Sequence, residues 1–487
     1  MRTITVGSRG RLQAKRSCAL AGLLALSLTG YASMVSAQAQ RDFSATSSTQ
    51  LPPQTMRRPN IVLIMVDDLG VEAINAYGGE YATPHIDALS RQGATFANAH
   101  AMPLCTPSRA RIMTGIENAK SYQAFGYLAP TSRTFGHVLK EAGYATAIVG
   151  KWQLSGNGFD GRVGMEPLKA GFDEAMLWQV ATGAARGSRY WGPTFWKNGY
   201  SKVNESGFGP DMASDFALDF IDRNKDKPFF LYYPMVLPHS PFVPTPDSLT
   251  AQSEKERFAG MVNYADKLVG KVIDKLAELK LDQNTVVIFT GDNGTNRAIT
   301  SYRNGAPVRG GKGEVTINGT HVPMIVRWSG QIQAGSHPDG LFDFTDMLPT
   351  LAEIGGAQLP ATGIDGKSQL PVMLGKKPEV RDWIFMHYAP AWISKPARFI
   401  FDAHWKLYGD GRFVALDSEH DSETEVKKLT PEAGRKRKFF DQLLSNMGDG
   451  PLDPVRFPMC KGKPSLVADQ PAEISGCKRS GPVDDGE

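Results

Sequence analysis

Asn60-Ile61-Val62-Leu63-Ile64-Met65-Val66-Asp67-Asp68-Leu69-Gly70 passes directly from an unbroken aliphatic run to two carboxylates and a glycine. A short run with no polar residue on either face suits a strand covered on both sides, and such strands belong to mostly parallel sheets. Ala145–Val149, Phe229–Tyr233 and Val286–Phe289 repeat the pattern. Helical stretches such as Phe135–Ala142 and Phe258–Leu279 lie between them. The alternation predicts an α/β sandwich, a large mostly parallel central sheet flanked by helices, over residues 58–375. From about Gly375 the pattern changes. Trp383–Tyr388, Phe399–Asp402 and Trp405–Tyr408 read as short antiparallel strands, and Pro431–Leu444 reads as a charged helix. A small C-terminal α+β subdomain is expected over 376–460, with a tail over 461–487. Arg435-Lys436-Arg437-Lys438 reads as a solvated helix face.

The ends of the four predicted strands carry the chemistry. Ile61–Val66 delivers Asp67 and Asp68, Val286–Phe289 delivers Asp292 and Asn293, and Ala145–Val149 delivers Lys151 and Gln153. Phe229–Tyr233 leads through prolines to His239. In open α/β sheets ligands bind outside the carboxyl ends of the strands. Converging carboxylates repel and raise one another's pKa unless a cation intervenes. Ligands that are all oxygen, with Asn293 adding an amide oxygen, suit calcium or magnesium rather than zinc.

The first residues must be set apart before charge is interpreted. Arg2, Arg9, Arg11, Lys15 and Arg16 precede an apolar run from about Cys18 to Leu28. Small residues follow as Val35-Ser36-Ala37 and Ala37-Gln38-Ala39. This order reads as a secretory signal peptide over 1–37, with a polar linker over 38–57 and a periplasmic or extracellular destination. Its removal lowers the formal charge of the 487-residue chain from +4 to −1. The remaining composition gives no reason to expect nucleic acid as a partner, and no later stretch is apolar enough to span a bilayer.

Cys105, Cys460 and Cys477 remain after Cys18 leaves. Cys460 and Cys477 flank a short loop and can pair in an oxidising compartment, which leaves Cys105 over. Thr106-Pro107-Ser108 open a helical pattern, so Cys105 is expected at a helix N-terminus, where the dipole lowers a thiol pKa. A thiolate nucleophile needs a paired histidine, which spacing alone does not identify. A thiolate is also a poor ligand for a hard cation. These conditions favour an oxygen nucleophile at position 105.

Cys105-Thr106-Pro107-Ser108-Arg109-Ala110-Arg111-Ile112-Met113-Thr114-Gly115 resembles the type I sulfatases of the alkaline-phosphatase-like superfamily. The likeness continues in order through Asn60–Gly70, Thr83–Asp87, Gly150–Leu154, Pro238–Pro241, Thr290–Gly294, Gly310–Gly313 and Asp346–Thr350. The resemblance implies a sulfuric ester hydrolase in which a maturation enzyme converts Cys105 to formylglycine. Its hydrate would attack sulfur, and loss of the second hydroxyl proton would then release sulfate. It implies calcium bound by Asp67, Asp68, Asp292 and Asn293, touched by residue 105. Arg109 would support the formylglycine. Lys151, His239 and Lys312 would contact sulfate, with His239 or Lys312 protonating the leaving oxygen.

Three departures stand out. Gln153 occupies the position where the family carries a histidine assigned to the second proton transfer, and an amide is no base at neutral pH. His321, in Asn318-Gly319-Thr320-His321, is a candidate to compensate. Met176–Gly199 reads as a loop without a family counterpart. Its Trp178, Arg186, Arg189, Tyr190, Trp191 and Trp196 suit stacking on a sulfated sugar, against the alternative of ordinary packing. Beside a carbohydrate or aryl sulfatase, the sequence admits a phosphodiester or phosphonate hydrolase of the same superfamily, or a non-catalytic binder of sulfated glycans.

Overall fold

A computed structural model describes residues 58–121, 125–156, 163–181, 186–204, 206–360, 363–389 and 397–447, with two short backbone segments at 459–460 and 463–464. Apart from the backbone of 459–460 and 463–464, the expected signal peptide, linker, tail and Cys460–Cys477 pairing lie outside the described residues.

The central sheet has nine strands. They are β1 (Asn60–Val66), β2 (Ala94–Thr95), β3 (Ala145–Lys151), β4 (Glu174–Trp178), β5 (Thr194–Lys197), β6 (Tyr200–Val203), β7 (Phe229–Pro234), β8 (Thr285–Gly291) and β9 (Met324–Trp328). The spatial order is β2-β9-β8-β1-β7-β3-β4-β5-β6. Strands β8, β1, β7, β3 and β4 run parallel, and antiparallel pairs extend the sheet on both sides. β1 lies centrally, between β7 and β8. Its side chains alternate between two cores: Val62, Ile64 and Val66 enter one, while Ile61, Leu63 and Met65 enter the other. This explains why the run has no polar residue on either face.

Helices cover both faces. α1 (Pro84–Gln92), α4 (Gly209–Arg223) and α5 (Glu254–Glu278) contribute to the first core; α2 (Cys105–Thr114), α3 (Phe135–Glu141) and α6 (Met347–Gly355) contribute to the second. α5 starts one turn before its apolar periodicity suggests, because Ser253 and Glu256 form a capping box. α2 is buried on every side, so it lacks the polar stripe of a surface helix.

Met176–Gly199 is not the loop expected from its sequence. β4 and β5 pair antiparallel within it, and β6 follows directly. These strands form an open edge and lack the two-sided aliphatic pattern, since β6 is exposed along its whole length.

The C-terminal region is a five-stranded antiparallel sheet of β10 (Ile384–Tyr388), β11 (Ala397–Phe401), β12 (Trp405–Tyr408), β13 (Phe413–Asp417) and β14 (Ser422–Glu425), followed by α7 (Pro431–Met447). One face packs Phe385, Ile400, Leu407 and Phe413 against Ala433, Phe440 and Leu444 of α7. The other packs Met386, Tyr388, Phe399 and Tyr408 around Leu104 and Cys105. The subdomain thus shares a core with the segment carrying Cys105. The basic run on α7 is not wholly solvated, since Lys436 pairs with Asp402 at 2.7 Å.

Arg111 joins these parts. Its guanidinium grips Asp343 through bonds of 2.7 and 2.6 Å and donates to the Phe385 carbonyl of β10 at 2.9 Å, all buried. Removing one partner of a buried pair strands the other charge. Arg111→Met is therefore expected to cost about 3–5 kcal/mol, read as a lowered urea midpoint. An unchanged midpoint would refute the assignment.

Candidate active site

The site forms where β1, β3, β7 and β8 end at one edge of the sheet. Asp67 and Asp68 follow β1, Asp292 and Asn293 follow β8, Lys151 ends β3, and His239 follows β7 by five residues. Close packing of strand ends has local consequences. Gly150 adopts φ +123°, and a Cβ there would approach the Pro234 carbonyl oxygen to 1.9 Å. Asp68 and Gln153 adopt positive φ, 64° and 61°, a conformation sparsely used outside glycine and found at functional sites.

Hydrogen bonds and ion pairs connect nearly all the residues singled out from sequence. Arg109, on the buried face of α2, donates to Asp67 at 3.2 Å, to Asp292 at 2.9 Å and to the Lys151 carbonyl at 3.1 Å. Lys151 Nζ reaches both Asp67 oxygens, at 3.1 and 2.9 Å. The Asp68 amide donates to Asp292 at 3.0 Å, and Asn293 Nδ2 donates to Asp68 Oδ1 at 2.8 Å. Lys312 Nζ lies 2.9 Å from Asp68 Oδ2 and 3.1 Å from His239 Nε2. Cys105 Sγ falls within 4.8 Å of carboxylate oxygens of Asp67 and Asp292. Gln153 joins through its neighbour: Thr106 donates its hydroxyl to Gln153 Oε1 at 3.1 Å and accepts from the Gly126 amide at 3.2 Å.

Electrostatics separate the carboxylates. Burial works to raise Asp67, but Lys151 and Arg109 outweigh it and bring the group down to about 2. Burial and then the charge of Asp67 push Asp292 up to about 8. Asp68 is also raised, first by burial and then by Asp67, despite Lys312. Among the described residues, Asn293 Oδ1 is buried without a hydrogen-bond partner. Three buried carboxylates, two of them raised toward their protonated form, and an unsatisfied amide oxygen form a donor set that fits a hard divalent cation.

The thiol at 105 differs from expectation. Cys105 does begin α2, but burial, reinforced by Asp292 and Asp67, pushes its pKa up to about 11 and overrides the helix terminus. It is a neutral thiol near pH 7 and a poor nucleophile as it stands. His239 is held neutral, its pKa lowered well below the usual value by burial and then by Lys312, Arg189 and Lys151. Its Nδ1 faces the Ser240 carbonyl at 2.6 Å, which assigns the ring proton there and leaves Nε2 to accept from Lys312.

His321 has another role than the one considered from sequence. Its Nδ1 lies 2.6 Å from Asp421 and its Nε2 lies 2.9 Å from the Ala97 carbonyl. Both nitrogens are thus committed to holding the turn before β14, where Arg303 also pairs with Asp421 at 2.7 Å. The aromatic segment divides similarly. Trp178 and Tyr190 are buried, with Arg189 stacked 4.4 Å from the Trp178 ring. The Tyr190 hydroxyl, with one proton to share, lies 2.9 Å from the Val236 carbonyl and also against that of His239, while Arg189 donates to that of Ser240. These residues shape the backbone that carries His239. No pattern in the sequence marked Tyr190 or Thr106 individually, because each acts through one backbone or side-chain contact made across the fold. Trp191 is 42% exposed, with its ring nitrogen bonded to Pro244 at 2.9 Å.

Known proteins are similar to this chain in sequence and in fold. The sulfatase family model matches residues 59–357, and the model described as N-sulphoglucosamine sulphohydrolase, C-terminal, matches residues 315–413. Steryl-sulfatase of Rattus norvegicus is 29% identical over 429 residues, covering 70% of this chain and 74% of that protein. N-acetylgalactosamine-6-sulfatase of Canis lupus familiaris is 31% identical over 360 residues, covering 65% and 66%. The crystal structure of Ps i-CgsB in complex with k-i-k-neocarrahexaose superposes with a TM-score of 0.68 at 25% identity, covering 81% of this chain and 94% of that one. With the family model matched across the parallel sheet and its strand-end residues, the chain belongs to the sulfatase family and is a sulfuric ester hydrolase.

Proposed function

We propose that this enzyme cleaves a sulfate monoester on a carbohydrate, with Cys105 matured to formylglycine and calcium held by Asp67, Asp68, Asp292 and Asn293. The observation that carries the proposal is the buried network joining those carboxylates to Arg109, Lys151, His239 and Lys312 around residue 105. The hydrated aldehyde would supply an oxygen nucleophile, and calcium would supply positive charge against the sulfate oxygens.

The chain's own residues supply the rest. Arg109 pairs with Asp67 and Asp292 and holds both close to residue 105. Lys151 and Lys312 present ammonium groups toward the position of a sulfate monoanion, where a buried cation acts more strongly than one in water. Lys312 and His239 form the pair that protonates the leaving oxygen. In the resting geometry the transferable proton sits on Lys312, since His239 Nε2 is the acceptor. Gln153 transfers no proton and orients Thr106, next to the nucleophile, by accepting its hydroxyl proton. Export through residues 1–37 and maturation by a formylglycine-generating enzyme belong to the same proposal.

The carbohydrate assignment draws on the N-acetylgalactosamine-6-sulfatase relative and on the neocarrahexaose bound to Ps i-CgsB. Within this chain it draws on Trp191, whose exposed ring is fixed to the segment following His239.

Two measurements test the nucleophile and the substrate class. A peptide spanning Cys105, taken from protein exported by a host capable of the conversion, should show the mass of an aldehyde. The same preparation should hydrolyse aryl sulfates faster than aryl phosphates or phosphonates. A retained thiol refutes the nucleophile, and a phosphate or phosphonate preference refutes the substrate class.

Calcium binding should depend on pH with a defined sign. Without metal, Asp292 keeps a proton up to about pH 8 that the unfolded chain has already lost, so its contribution to stability falls as pH rises from about 4 to 8. Calcium must displace that proton. Affinity is expected to strengthen by as much as about tenfold per pH unit between about pH 6 and 8, with about one proton released per ion. Calorimetry in buffers of different ionisation enthalpy reads both quantities, and a pH-independent affinity would contradict the charge assignment.

Trp191→Ala should raise KM for a sulfated oligosaccharide roughly threefold to tenfold through lost stacking. An unchanged KM removes Trp191 from the substrate site.

A further inference from the structure

Lys312 stands on a loop with little restraint of its own. Glycines flank it, and Gly313 adopts φ +79°. The backbone is held instead by outside partners. The Lys312 amide donates to the Thr295 carbonyl at 3.0 Å, and the Gly313 amide donates to the Pro103 carbonyl at 2.8 Å. The carbonyls that follow are gripped by the C-terminal sheet. Tyr388 of β10 donates its hydroxyl to the Gly313 carbonyl at 3.3 Å. Lys406 of β12 donates to the Val315 carbonyl, and Tyr408 Oη lies 3.2 Å from the same oxygen.

Lys406 is an unusual residue for this place. It is 2% exposed, and lysine is almost never so buried unless paired. Glu423 of β14 supplies the partner, 2.9 Å from Lys406 Nζ and 2.6 Å from Tyr408 Oη. The ammonium also lies 4.3 Å from the Phe399 ring centroid and 4.6 Å from that of Tyr408. Tyr408 has one proton to offer, and the shorter contact is to Glu423; Lys406 has three and is the principal donor to Val315. An apolar residue would fill the same space without the desolvation cost of a charge. The retained ammonium is instead directed at a carbonyl three residues beyond Lys312.

We infer that Lys406, supported by Glu423 and Tyr408 and assisted by Tyr388, is a positioning residue: it clamps the Gly313–Val315 backbone and thereby sets Lys312 against Asp68 and His239. This rests on the role given to Lys312 above. The C-terminal sheet, on this account, takes part in turnover through the Gly313–Val315 backbone.

A double-mutant cycle on the matured full-length enzyme with an aryl sulfate tests it. Lys406→Met and Tyr388→Phe are each expected to lower kcat about fivefold, the worth of one ordinary hydrogen bond, with KM changed less. In a Lys312→Ala background neither should cause further loss. Lys406→Arg, which keeps the charge and the donors, should restore most of the rate. Equal losses in both backgrounds, or no loss from either single variant, overturn the inference while leaving the role of Lys312 intact. Full turnover in Lys312→Ala overturns that role and the inference with it. Should Lys406→Met fail to fold, the Tyr388→Phe cycle decides alone, since removing one hydroxyl leaves the aromatic packing in place.

Discussion

Three carboxylates at the ends of two adjacent parallel strands cannot remain buried and charged without compensation. Arg109 bridges Asp67 and Asp292, and Lys151 holds Asp67 from the end of β3, two strands away. This charge balance explains why α2 is buried on all sides, since the helix must bring a guanidinium beneath two aspartates. It also explains why residue 105 begins that helix, one turn from Arg109 and beside the same carboxylates. The raised Asp292 and the unsatisfied Asn293 oxygen fit the donor set of a hard cation. A neutral buried thiol in such surroundings is a poor nucleophile as it stands.

The second constraint is the covering of this centre by the rest of the chain. The C-terminal sheet contributes one face to the core around Cys105 and grips the backbone following Lys312. Arg111 extends the connection through Asp343 to β10. Tyr190 and Arg189 perform a similar service for the segment carrying His239, fixing the carbonyls of residues 236, 239 and 240. Catalytic side chains delivered by strand ends are precise only when the loops between them are held, and here buried polar groups from distant segments hold them.

Legibility in the sequence followed the range of the forces involved. The parallel strands could be read because burial on both faces leaves a continuous aliphatic run, as in Ile61–Val66. The edge strands Thr194–Lys197 and Tyr200–Val203 could not, because one-sided or absent burial leaves no run to see. His321 and Tyr190 were unreadable for a different reason. A histidine in a motif-like setting looks available until Asp421, one hundred residues away, and the Ala97 carbonyl occupy its two nitrogens.

By itself the sequence determined the α/β class, the family likeness and the identity of the residues at the strand ends, because each is written in local pattern and local spacing. The tertiary structure alone decided their electrostatic states. It made Cys105 a neutral thiol rather than a thiolate, His239 an acceptor rather than the resting proton donor, and Asp67 and Asp292 unlike in acidity despite identical chemistry. Protonation depends on burial and on charges within a few ångströms, and those neighbours come from segments that only folding brings together.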